Sequence, residues 1–149
     1  MTLKEKVYSH YLKTINDKIQ LLQYTLSDLK ESGSNETKST AGDKHETALA
    51  MLQIEQENKL TQLSDALMQK AALEKINPTI SADRIMSGSL VKTNRGFFFI
   101  SIALGKALID GISVIAISPQ SPLGMQLMGL STGDVTEINN NHYVIESIS

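Results

Sequence analysis

The stretch Ser121-Pro122-Leu123-Gly124-Met125-Gln126-Leu127-Met128-Gly129 decides the class of fold. A serine ahead of a helix offers its oxygen to the free amides of the first turn. Proline suits the first helical position because its missing N–H is not needed there, and glycine closes a helix in the left-handed conformation. The stretch therefore predicts one short helix, and its surroundings read as strands. Ser89–Thr93 and Phe97–Ile102 flank the turn-forming triplet Asn94-Arg95-Gly96 and predict a hairpin. Ile112–Ile117 is a β-branched run. Val135–Ile138 and Tyr143–Ile148 flank a second turn at Asn139-Asn140-Asn141. The expectation is a small antiparallel β-sheet with one short helix packed across it.

Upstream the pattern changes. Leu3, Val7, Tyr11, Ile15, Ile19, Leu22, Leu26 and Leu29 step by fours and then by alternating threes and fours, one apolar stripe with polar residues on the other faces. After a polar break, Leu49, Leu52, Leu60, Leu63, Leu67 and Leu73 partly repeat it. Two such stripes are buried most economically against each other, which predicts an antiparallel coiled-coil helical hairpin. Residues 3–31 would make a rod of roughly 40 Å, with a tip at Ser32–Ala41. All three prolines and seven of the nine glycines lie in residues 78–149, so the composition changes at Asn77-Pro78. The fold class expected is α+β, with a helical hairpin over residues 1–77 and a sheet domain over residues 78–149.

Composition narrows the function. Of 149 residues, 14 are basic and 16 acidic, a formal charge of −2, which argues against direct binding to DNA through its phosphates. The absence of cysteine excludes a disulfide framework, a thiolate zinc site and a cysteine nucleophile. Met1–Tyr11 has no apolar signal core, and no run approaches the roughly 18 apolar residues of a membrane span. A cytoplasmic protein is expected, with no membrane partner.

The residues resemble a known family. Ile117-Ser118-Pro119-Gln120-Ser121-Pro122-Leu123-Gly124, then Leu127-Met128-Gly129, Gly133-Asp134-Val135 and Tyr143-Val144-Ile145 are similar to the C-terminal domain of the bacterial Gre transcript-cleavage factors. Gly42-Asp43-Lys44-His45-Glu46-Thr47-Ala48 resembles the Gre tip motif, Gly-Asp-x-x-Glu-x-Ala. The resemblance covers the whole chain in the same order. It implies an FKBP-like C-terminal domain and a coiled coil that enters the secondary channel of bacterial RNA polymerase. There Asp43 and Glu46 would help hold a catalytic Mg²⁺ jointly with the polymerase, which cuts the 3′ end of backtracked RNA. The globular domain would dock at the channel mouth, with Ser121, Pro122, Leu123 and Gly124 as its partner-binding residues. On this reading the chain is a monomer and no enzyme itself; it stimulates the nuclease activity of the polymerase.

The chemistry suits that residue pair. Mg²⁺ takes hard oxygen ligands, and residues three apart on a helix share a face. Two carboxylates are a half-site that phosphates and polymerase ligands would complete, so no Mg²⁺ binding is expected of the free protein. The same Asp-x-x-Glu spacing also reads as a capping box for the second helix, with Asp43 as N-cap. Thr47 and Leu49 stand where family members carry Asn and an aromatic residue. A non-cleaving regulator of the same channel, and a coiled-coil adapter unrelated to transcription, therefore stay open.

Other features read more plainly. His10, His45 and His142 have no metal-ligand spacing, with His45 between the two tip acids. Asn35-Glu36-Thr37 is a chance glycosylation match. Met51, Met68, Met125 and Met128 fit core filling. Phe97-Phe98-Phe99 places alternate rings on opposite strand faces, one buried and the other open to a partner.

Overall fold

The computed structural model describes the backbone of residues 1–37 and 42–149, and the side chains of residues 1–33 and 46–149. The order of elements is α1 (Leu3–Thr37), α2 (Gly42–Glu74), β1 (Leu90–Thr93), β2 (Gly96–Ile100), β3 (Gly105–Ile109), β4 (Ile112–Ile117), α3 (Pro122–Leu127), β5 (Val135–Ile138) and β6 (Asn141–Ile148). The fold is α+β: two N-terminal helices, then a six-stranded sheet and one short helix. Contacts divide the chain into two compact units, Thr14–Lys70 and a second made of Met1–Lys13 with Ala71–Ser149.

In Thr14–Lys70, α1 buries Ile15, Ile19, Leu22 and Leu29, as its apolar stripe predicts. The helix continues through Ser32–Thr37, part of the expected tip, since each added residue of a formed helix gains a backbone hydrogen bond. In this unit the buried and half-buried positions of α2 include 49, 52, 56, 59, 63 and 66, which alternate by threes and fours. Leu60 and Leu67 lie to one side of that line and are 54% and 47% exposed, which corrects the expected stripe. Gln56 and Lys59 occupy the line instead, so apolar content alone misplaced it. Met51 and Met68, expected in the core, are also exposed on α2.

In the other unit the strand order is β3-β4-β2-β1-β6-β5. The sheet is mixed rather than antiparallel. β2 and β4 run parallel, Phe97 opposite Val114 through Ile100 opposite Ile117, while the remaining pairs are antiparallel. The cause is β3, an element the sequence reading left out. It forms a hairpin with β4 through Asp110-Gly111, whose φ angles of 51° and 76° are those of a type I′ turn, and the chain re-enters the sheet in the direction of β2. Asn139-Asn140, φ 52° and 66°, makes the same kind of turn between β5 and β6. Glu146 is the extra residue where the β1–β6 register slips, a bulge that bends the last strand.

Both faces of the central strands carry buried side chains. On one, Val91, Phe98, Ile100 and Ile145 pack with Ile85 and with Leu127 of α3. On the other, Tyr11 from the start of α1 stacks on Phe99, and both rings are buried. The second face of the Phe97–Phe99 run is therefore filled by the chain itself and is not open to a partner. Met125 and Met128 lie on the outer side of α3 and are exposed, against the core filling expected of them.

Candidate functional site

The Ser118–Gly124 turn is built around one carbonyl. Ser118 O accepts from the Ser121 amide at 3.0 Å and from Ser121 Oγ at 2.7 Å. Ser121 Oγ in turn accepts from the Gly124 amide at 3.0 Å, the N-cap bond that the serine predicts. Gly124 is buried, and a Cβ there would stand 2.0 Å from Ser118 O. Only a glycine lets the helix start this close to the preceding strand end. Leu123 packs on the core, and Pro122 is exposed. Of the four residues expected to bind a partner, Pro122 alone is fully on the surface, while Ser121, Leu123 and Gly124 hold the turn in shape.

Downstream, Gly133-Asp134 forms the second tight corner. The Gly133 amide donates to Ile145 O at 2.7 Å, and Asp134 Oδ2 accepts from the Ser131 amide at 2.8 Å. This corner leads the chain into β5 and joins it to β6.

Asp43 and Glu46 both lie near the start of α2, which begins at Gly42, so Asp43 falls inside the helix. Helical spacing sets them one turn apart on one face. Glu46 is exposed. The side chains of Asp43 and His45 lie outside the described residues. Among the described residues no group of three or more His, Asp or Glu is placed to hold a metal ion. No described helix is long and apolar enough to cross a membrane.

A residue the sequence reading passed over lies at the start of α1. Lys4 is 6% exposed, and its Nζ donates to Ile80 O at 2.5 Å. Burial holds this amine below the ordinary lysine range. The signal is visible in retrospect: Lys4 is three residues before Val7 and seven before Tyr11, so a cation sits on the apolar stripe. Tyr11 is the second buried polar group of this helix. Its hydroxyl is 2.8 Å from Gly105 O and 3.1 Å from Val114 O, on the two neighbouring strands β3 and β4. Burial raises its pKa above the usual tyrosine value, and a backbone hydrogen bond from Ala116 offsets part of the rise.

On the opposite strand ends, Arg95 lies over the Tyr143 ring at 5.5 Å and donates from Nε to His142 O at 2.9 Å. Comparison with family models, with curated proteins and with solved structures returns no match to this chain.

Proposed function

We propose that this chain is a Gre-like factor that inserts its N-terminal helices, as an antiparallel coiled coil, into the secondary channel of bacterial RNA polymerase and stimulates cleavage of backtracked RNA. The observation that carries this reading is the order of short motifs. Gly42-Asp43-x-x-Glu46-x-Ala48 opens the second of two long helices, and the Ser121-Pro122 helix and the Gly133-Asp134 corner follow in an α+β unit. Asp43 and Glu46 would donate oxygen ligands to a Mg²⁺ completed by the polymerase and the RNA phosphates. The C-terminal module would be FKBP-like and would dock through the surface around Pro122. The site of action would be the bacterial cytoplasm.

Thr47 and Leu49, which replace the residues usual after the tip glutamate, favour a second reading in which the chain occupies the same channel and regulates without cleaving. One experiment separates these readings. Stalled, backtracked elongation complexes with labelled RNA are given the chain and Mg²⁺, with the Asp43→Ala/Glu46→Ala variant alongside. Rapid 3′ cleavage lost in the variant is the result expected. Altered elongation without cleavage, retained by the variant, would make the chain a channel regulator. No binding to core polymerase would overturn both readings and leave an adapter.

A further inference from the structure

A cavity of about 450 Å³ opens beside the first turn of α1. That volume lies within the roughly 300–1,000 Å³ of small-molecule sites. Its apolar wall includes Ile76, Ile80 and Met86, and its polar groups include Lys4, Lys75 and Ser89. Among the described residues, neither aspartate nor glutamate lines it.

We propose that this cavity binds a small organic carboxylate, with the Lys4 ammonium as its counter-ion and the Ile76, Ile80 and Met86 side chains against its apolar body. Three observations carry the assignment. First, a buried ammonium is costly unless its charge is balanced, and Lys4 has a single neutral acceptor, Ile80 O. Its other two N–H bonds have no partner among the described residues. Second, the lining combines two lysines with apolar side chains, which suits an anion with a hydrocarbon tail. A fully hydrated inorganic anion would gain nothing from that wall, and the cavity has no arginine fork to grip it. Third, the lining is anchored to the sheet and closely packed at Gly88. Gly88, at φ +95°, donates its amide to Ile100 O at 2.6 Å, and a Cβ there would come within 2.9 Å of Ile76 Cγ2. Ser89 Oγ accepts from the Met86 amide at 3.0 Å, so its proton is left to donate. The cavity wall is thus tied to β2, and it does not depend on the transcription reading.

Amide NMR of the full chain, titrated with hexanoate, hexanamide and inorganic phosphate, tests this. Hexanoate is expected to shift the Ser87, Gly88 and Ser89 amides saturably, while hexanamide and phosphate bind at least tenfold more weakly. Lys4→Met, which keeps the length of the side chain, should weaken hexanoate at least tenfold. Ala82→Phe, which fills the lining and leaves Lys4 in place, should do the same. Equal binding of hexanamide or of phosphate to the unaltered chain would overturn the carboxylate assignment. So would undiminished hexanoate binding in Lys4→Met, or the absence of saturable shifts.

Discussion

The Tyr11 ring stacks on Phe99 with centroids 6.1 Å apart and an interplanar angle of 21°. Through this contact the first turns of α1 join the sheet, 88 positions further along the chain. The Tyr11 hydroxyl extends the join by meeting two strand carbonyls, on β3 and β4.

Removing that hydroxyl tests its contribution. Tyr11→Phe keeps the stack and strips both carbonyls of their shared donor, a loss of about 1 kcal/mol or somewhat more, while Tyr11→Ala also opens a cavity and loses about 3–5 kcal/mol. Urea unfolding followed by circular dichroism measures both. A Tyr11→Phe variant as unstable as Tyr11→Ala would mean that the stack contributes little.

The two shifted groups give opposite slopes in alkali. Tyr11 has a folded-state pKa raised above 10.0, so the folded chain keeps a proton that the unfolded chain loses. Its stabilisation is complete below pH 10.0 and falls away above it. Lys4 has a folded-state pKa below 10.5, so the unfolded chain holds more protons just under that pH. The penalty of its buried charge is full at neutral pH and is relieved as the pH rises towards 10.5. Lys4→Met should therefore stabilise the chain at neutral pH and remove the alkaline gain, and Tyr11→Phe should remove the alkaline loss. Denaturant midpoints across that range read both slopes.

Gly124 is expected to be irreplaceable. A methyl group 2.0 Å from Ser118 O forces the start of α3 away from the strand end, and Gly124→Ala should cost about 1–3 kcal/mol. Ser121→Ala removes the cap bond and the hydroxyl's bond to Ser118 O, inserts no atom into the turn, and should cost about 1 kcal/mol. Thermal unfolding that ranks Ser121→Ala as the worse of the two would contradict this geometry.

Ser101 carries a different expectation. Its residue is buried, and Oγ has no hydrogen-bond partner among the described residues. Ser101→Ala deletes an unsatisfied hydroxyl and should leave stability unchanged or raise it by about 1 kcal/mol. A clear loss of stability would reveal a partner for that oxygen.

Much of the local structure was legible because its causes are local. The Ser121 cap, the proline beside it and the asparagine turn at Asn139-Asn140 act over three or four residues, and each lies where its chemistry predicts. The missed hairpin was legible too. Asp110-Gly111 is a strong two-residue turn signal, and it was obscured by the weakly patterned Gly105–Ile109 before it. The methionines misled because a flexible apolar side chain serves equally inside and outside, and a helix pattern that includes Gln56 and Lys59 cannot be drawn from leucines alone.

The candidate site divides in the same way. Sequence by itself determined which residues could act, Asp43 and Glu46 by their spacing and Ser121 to Gly124 by their turn chemistry. Tertiary structure alone decided that Gly124 is pressed against Ser118 O, that Phe99 is covered by Tyr11, and that Lys4 is buried beside a cavity. The reason is distance along the chain. Caps and turns are set by atoms a few residues apart, whereas burial depends on which remote segment arrives, here Ile80 against Lys4 and Tyr11 against Phe99.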